Sequence, residues 1–198
     1  LTQDQLAHTL MPLGAYTKPE ARRMAEEAGL RVAHKPDSQE ICFVEDNDYA
    51  GFLERYTGKK APEGDFVDAE GHVLGRHRGI THYTIGQRKG LGVSFGRPMY
   101  VTKIDAVLNR VTLGEEGSQY ASSLLADDLN FIPFDTLDKP LQVHAKVRYQ
   151  ARPAEAVLTP VEHGRVRVDF AEAQRSITPG QAVVFYDGDL VVGGGTIV

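Results

Sequence analysis

The chain is poor in several features that would point to particular kinds of chemistry. It has a single cysteine in 198 residues, so no disulfide can form within it. Secreted chains of this size usually carry even cysteine numbers, and a reducing cytoplasmic location is therefore expected. No apolar run approaches the roughly 18 to 20 residues that span a bilayer, so no membrane association is expected. No basic stretch followed by an apolar one opens the chain, so no signal peptide is expected either. There is no Walker-type glycine loop, and no Ser-His-Asp arrangement can be defended. His72, His77 and His82 recur every five residues. That spacing suits neither a helix face nor a zinc-ligand pattern, and no cysteine joins them, so no bound metal is expected. Internal repeats and low-complexity segments are missing too. The first residue is Leu1 and not Met, and Thr2 already reads as a helix cap, which suggests a fragment of a longer protein.

What is present is ordinary in bulk and uneven in detail. Hydrophobic content of 41% and charged content of 25% suit a soluble globular protein, and the length allows a real core in one or two domains. The net charge of −5 argues against a generic nucleic-acid binder. The average hides a pattern, however. Residues 1–71 are net −6, residues 72–113 carry 7 Lys+Arg against 1 Asp+Glu, and residues 114–198 are net −5. A basic focus in the middle can attract phosphate locally while the rest repels it. An ordinary solvated face would look the same.

The chain reads in three pieces. Residues 1–44 are helical at first. Thr2 with Gln5, and Thr17 with Glu20, fit capping boxes. Pro19 falls in a first turn and Gly29 is a good terminator. Ala21, Met24, Ala25 and Ala28 form a narrow apolar stripe suited to a close-packed neighbour. Leu30 to Val44 reads as extended, with a polar interruption. In residues 45–114, Asp46 or Asn47 can cap a short helix that shows Tyr49, Phe52, Leu53 and Tyr56 on one face and ends at Gly58. Phe66-Val67 and Val73-Leu74 flank a Glu70-Gly71 turn as a hairpin. In residues 115–198, Leu141, Val143, Ala145, Val147 and Tyr149 alternate with polar residues, the period of a half-buried strand. Ala154–Leu158, Val166–Phe170, Ala182–Tyr186 and Leu190–Val192 are further strands, and Gly193-Gly194-Gly195 suggests a bulge or close backbone approach. The fold class is α+β, mainly β: a short helical N-terminal segment, a small central α/β domain and a C-terminal antiparallel β-barrel.

Three places could carry chemistry, and each has a plainer reading. Cys42, between Ile41 and Phe43, is either a buried packing thiol or a nucleophile whose thiolate needs nearby positive charge. Gly86-Gln87-Arg88-Lys89-Gly90 is either a tight turn with exposed basic residues or a backbone that approaches phosphate, with Arg88 as a fork and Lys89 as a point charge. Arg148-Tyr149 could grip single-stranded RNA through charge and stacking, or be a solvated arginine beside a core tyrosine.

Taken together these motifs are specific. Lys35-Pro36-Asp37-Ser38-Gln39-Glu40-Ile41-Cys42-Phe43-Val44 resembles the second-cysteine motif of the tRNA-specific 2-thiouridylases. Leu74-Gly75 to His77, and Tyr83-Thr84-Ile85-Gly86-Gln87-Arg88-Lys89-Gly90-Leu91-Gly92, resemble the central-domain signature of that family. Arg148-Tyr149, Thr178-Pro179-Gly180-Gln181-Ala182-Val183 and Gly193-Gly194-Gly195-Thr196-Ile197 resemble its C-terminal domain. Pro12-Leu13-Gly14, with Lys18-Pro19-Glu20 and Arg22, resembles the helical end of its catalytic domain. The resemblance runs along essentially the whole chain in motif order.

The resemblance implies a mechanism. The enzyme uses ATP, with Mg, to adenylate the C2 oxygen of a wobble uridine. Cys42 matches the cysteine that carries a persulfide, received from a sulfur-relay protein or a cysteine desulfurase. A second cysteine then forms a disulfide and leaves sulfur on the tRNA. A persulfide suits this role because its outer sulfur is nucleophilic and its S–S bond is cleaved by thiol attack. Arg148, Tyr149 and Gln181 match positions that contact the tRNA anticodon arm. Gln87, Arg88 and Lys89 are added to them from charge and glycine context alone. The family's pyrophosphate loop and first cysteine are absent here, so an ATP site is expected in a missing N-terminal domain, and this chain alone is expected to be inactive. Two other readings compete: a non-catalytic RNA-binding module, and a thiol-based sulfur carrier without RNA. The motif around Cys42 favours the enzyme over the first, and the basic middle with Arg148-Tyr149 favours it over the second.

Overall fold

The structure is a computed structural model that describes residues 1–35, 44 and 48–198. The chain divides into two compact units, Leu1–Phe52 and Leu53–Val198. Helix α1 (Gln3–Ala7) opens with a capping box, in which the Gln5 N–H donates to Thr2 Oγ1 at 3.2 Å and the Thr2 N–H donates to Gln5 Oε1 at 2.8 Å. Helix α2 (Lys18–Glu27) begins in the same way. The Glu20 carboxylate accepts from both the N–H and the hydroxyl of Thr17, at 2.7 Å each, which holds its pKa below the usual carboxylate value. Gly29 ends α2 in the left-handed region at φ +67, with the Leu30 N–H returning to the Ala25 carbonyl at 2.9 Å. No α2 residue is buried, and Met24 on the alanine stripe is 40% exposed.

Residues 31–34 differ from the extended expectation. They form turns, with Ala33 N–H to Leu30 O and Lys35 N–H to Val32 O at 3.1 and 3.0 Å. The left-handed cap at Gly29 reverses the chain, and local i to i+3 bonds take the place of a ladder. Helix α3 (Tyr49–Thr57) is capped by Asp48, whose Oδ1 accepts from Gly51 N–H at 3.0 Å. The cap thus falls one or two residues beyond Asp46 and Asn47, which lie outside the described residues.

The second unit holds two sheets. Strands β1 (Gly64–Val67), β2 (Val73–His77), β3 (Tyr100–Asp105) and β4 (Arg110–Gly114) form a mixed sheet in the order β2-β1-β4-β3. Two hairpins, β1–β2 and β3–β4, are joined by the parallel pair β1–β4, with Phe66 opposite Val111. Phe66, Tyr83, Leu91, Met99, Val101, Val111 and Leu113 make its core. His77 belongs to this core and is 2% exposed. Its Nδ1 accepts from the Gly79 N–H at 3.1 Å, and its Nε2 lies 3.1 Å from the Asn109 carbonyl. This fixes a neutral ring with the proton on Nε2. The ring packs edge-on against Phe66 and Tyr83.

Strands β5 (Tyr120–Phe131), β6 (Leu141–Lys146), β7 (Ala154–Val161), β8 (Arg165–Arg175), β9 (Ala182–Asp187) and β10 (Leu190–Ile197) close into an antiparallel barrel in the order β10-β5-β8-β7-β6-β9. Among the described residues the fold is mainly β with three short α-helices, as the sequence implied. The alternation from Val143 to Val147 points inward as expected, but the strand ends at Lys146. Arg148 and Tyr149 lie beyond it in a turn closed by Ala151 N–H to Arg148 O at 3.1 Å, and Tyr149 is 91% exposed rather than inward. β5 escaped the sequence reading altogether. Its YASSLLADDLNF run has no β-branched residue, and Asp128 stands at φ +47, so pairing with β8 and β10 makes the strand rather than propensity. Among the described residues no helix is long and apolar enough to cross a membrane.

Two outcomes follow from these cores. Phe185, fully buried in the barrel against Phe131, should cost about 3–5 kcal/mol as Phe185→Ala, read from urea denaturation. Burial pushes the His77 pKa below its ordinary 6.5. The unfolded chain therefore takes up the proton first, so stability is complete above 6.5 and falls as pH drops through the lower folded value. Urea midpoints measured from about pH 7.5 to 5 should show this loss, and His77→Gln should flatten it.

Candidate nucleic-acid interface

The motif from Asp37 to Phe43, including Cys42, lies outside the described residues. The remaining candidates fall in the second unit, where the fold brings three distant segments together.

The first is the loop after Tyr83. Thr84 N–H donates to Gln87 Oε1 at 2.9 Å, Gln87 N–H to Thr84 O at 3.0 Å, and Gln87 Nε2 to Lys89 O at 3.0 Å. The half-buried Gln87 side chain thus braces its own loop, and Arg88 and Lys89 stand exposed beside it. Gly86 and Gly90 adopt φ +86 and +73, conformations that other residues rarely take. The close approach that Gly86 permits is to the protein itself. A Cβ there would overlap the Ser176 hydroxyl and sit 2.8 Å from the Ser176 Cβ.

The second segment is Arg148–Ala151. Arg148 Nη2 donates to the Ser176 carbonyl at 2.8 Å and to Thr178 Oγ1 at 3.0 Å, with the Ile85 carbonyl at 3.4 Å. Lys146 Nζ lies 5.5 Å from the centroid of the exposed Tyr149 ring. The third is the Ser176–Gln181 turn. Gln181 is exposed, and its N–H donates to Thr178 O at 3.2 Å. Thr84–Gln87 on one side and Arg148, Gln150 and Arg175 on the other line a cleft of about 590 Å³. Arg175 was not singled out from the sequence. It ends a strand with no motif around it, and only barrel closure carries it to the cleft.

The basic focus seen in the sequence is partly neutralised. Arg76 pairs with Asp65 at 3.0 Å and Arg97 with Glu115 at 2.6 Å, both carboxylates from outside residues 72–113, and Lys103 lies 3.9 Å from Asp105. Folding brings further acid to a stretch that holds 7 Lys+Arg against 1 Asp+Glu. At the linker into the barrel, Tyr100 donates its hydroxyl to Glu116, and Gln119 Nε2 adds a bond at 3.2 Å. The Tyr100 bond, with help from Gln119, Arg175 and Arg88, holds the Glu116 carboxyl below its usual range, and the same bond raises the phenol. The histidine series does not converge. His77 is core, while His72 bonds the Asp68 carboxylate at 2.9 Å in an exposed turn with Glu70. A second groove, about 680 Å³, is lined by Glu155, Asp169 and Asp187 and is unsuited to phosphate.

Three family models match the chain. One is described as a tRNA methyl transferase HUP domain over residues 1–46, one as a tRNA methyl transferase PRC-barrel domain over 50–115, and one as an aminomethyltransferase beta-barrel domain over 121–197. Among curated proteins, the chain is 59% identical over 197 residues to a tRNA-specific 2-thiouridylase of Acetivibrio thermocellus. It is 55% identical to one from Clostridium botulinum strain Loch Maree and 53% identical to one from Clostridioides difficile. Each match covers the whole chain and 55% of the relative, so the chain spans about half the length of these proteins. One outcome tests the linker geometry: in Tyr100→Phe the Glu116 carboxyl pKa should rise toward its ordinary value, followed by carbon NMR titration.

Proposed function

Because the chain belongs to the family of the tRNA-specific 2-thiouridylases, we propose that it is the sulfur-carrying and tRNA-binding part of such an enzyme. The match along its entire length to proteins of that name carries this reading. The matched family descriptions speak of methyl transfer, but the motif around Cys42 favours sulfur. A thiol is the group that a persulfide chemistry needs, and this chain places its single cysteine in that motif. In the full-length protein, residues 1–44 close the catalytic domain and bear the motif, 45–114 form the central domain and 115–198 the barrel.

Cys42 receives sulfur from a desulfurase or relay protein as a persulfide. The outer sulfur bonds to C2 of the uridine as the activated oxygen leaves. A second cysteine thiolate then attacks Cys42 Sγ, breaking the S–S bond, so that sulfur stays on the tRNA and the two cysteines become a disulfide. ATP does not fit here. Among the described residues no strand leads through a glycine loop into a helix that could cradle phosphates, so nucleotide use belongs to the rest of the protein. The chain alone does not turn over, and the enzyme works in the cytoplasm.

The tRNA surface comprises Arg148, Tyr149, Gln181, Gln87, Arg88 and Lys89, of which Gln87 and Arg148 line the cleft with Arg175. Tyr149 offers an exposed ring for a base, worth about 1–3 kcal/mol on removal. Arg88 and Lys89 offer charge to the backbone.

In the full-length enzyme, Cys42→Ser should abolish thiolation and leave tRNA affinity nearly unchanged. Mass spectrometry after incubation with a cysteine desulfurase and cysteine should show about 32 Da, one sulfur atom, added on Cys42. An unmodified Cys42 in an active enzyme would refute its role. Arg88→Ala should weaken tRNA binding and flatten the salt slope by about one ion.

A further inference from the structure

We propose that Arg148 is a positioning residue that locks the Thr84–Gln87 loop to the Ser176–Thr178 turn, so that Arg88, Lys89 and Tyr149 act as one surface. The inference builds on the tRNA-binding reading but gives Arg148 a different task from that of a phosphate ligand.

The acceptors of Arg148 come from segments 63, 28 and 30 residues away. They are also organised before the arginine arrives. Thr178 Oγ1 donates to the Ser176 carbonyl at 2.9 Å, which leaves the hydroxyl oxygen to accept from Arg148. Nη2 carries two protons for three protein oxygens, at 2.8, 3.0 and 3.4 Å, so the protons are shared among these acceptors and this nitrogen has none left for a phosphate. Ser176 sits at the centre of the joint. It is 3% exposed and stands in the left-handed region at φ +56, a conformation that a non-glycine residue keeps only when its surroundings impose it. Its N–H donates to Gln119 O at 2.7 Å, which ties in the linker between β4 and β5.

On the other side, Gly86 packs on Ser176 with no room for a Cβ. Gly86 N–H donates to Val101 O at 2.7 Å, and Val101 N–H to Gln87 O at 2.9 Å, so the loop is fastened to β3. A shift at Ser176 therefore reaches the loop that presents Arg88 and Lys89. Tyr149 follows Arg148 directly, so the bond that anchors Arg148 also sets where the exposed ring stands. Lysine keeps the charge of Arg148, but its side chain is one atom shorter and its ammonium ends short of the point where Nη2 meets these acceptors.

The test uses the full-length protein with Arg148→Ala, Arg148→Lys and Gly86→Ala. Hydrogen–deuterium exchange of peptides spanning residues 84–88 and 174–178 should speed up by about tenfold in both Arg148 variants. Affinity for tRNA should fall about tenfold in all three, the worth of one charge-assisted hydrogen bond, with an unchanged salt slope. Combining Arg148→Ala with Gly86→Ala should add little, since both break one joint. Unchanged exchange, or a slope reduced by about one ion together with rescue by Arg148→Lys, would overturn the proposal in favour of a phosphate contact. If the unmodified protein bound no tRNA, the tRNA reading would fail, and the exchange rates would still decide the joint.

Discussion

A six-stranded barrel closes only if its last strand can lie against two neighbours at once, and in this chain β10 must pair with both β5 and β9. Gly193, Gly194 and Gly195 make that possible. A Cβ on Gly193 would sit 2.9 Å from Phe131 Cα, one on Gly194 2.6 Å from the Val183 carbonyl, and one on Gly195 2.6 Å from the Asp127 carbonyl. Register shifts on both sides of the run absorb the curvature. Closure gathers the turns at Arg148–Ala151 and Ser176–Gln181 and the end of β8 at Arg175. The candidate interface exists because two barrel segments far apart in sequence are brought together beside the Thr84–Gln87 loop.

The central sheet meets the barrel through small contacts with exacting geometry. Gly86 touches Ser176, Arg148 spans both, and the linker is held by Tyr100 on Glu116 and by Ser176 on the Gln119 carbonyl. Charge then separates the surfaces. Arg148 and Arg175 line the cleft and Arg88 and Lys89 are exposed in the loop that follows its Gln87, whereas Glu155, Asp169 and Asp187 line the groove elsewhere on the barrel. An acidic protein can in this way offer one local surface to phosphate and repel it from the others.

Much of this was legible in the residues. The capping boxes at Thr2 and Thr17, the Gly29 stop, the β1–β2 hairpin and the glycine bulge all rest on local rules of backbone geometry, and the structure follows them. β5 was not legible, because its identity comes from its partners. The outward Tyr149 was misread because a turn after Lys146 ends an alternation that the sequence continues by chance. Gly86 was read as part of either a tight turn or a backbone approach to a ligand, since a glycine shows that something comes close but not what. The net charge of residues 72–113 was overestimated as a surface, because Asp65 and Glu115 fold onto it. Cys42 and its motif stand on the resemblance alone, and the described residues add nothing to them.

Ultraviolet crosslinking of tRNA to the full-length protein, with the crosslinked peptides mapped by mass spectrometry, tests the proposed surface most directly. Crosslinks should concentrate in the peptides that contain Tyr149 and Gln87–Lys89, with none at Glu155, Asp169 or Asp187. Crosslinks that spare Tyr149 and the loop, or that fall on the acidic groove, would contradict the placement of tRNA at the joint between sheet and barrel.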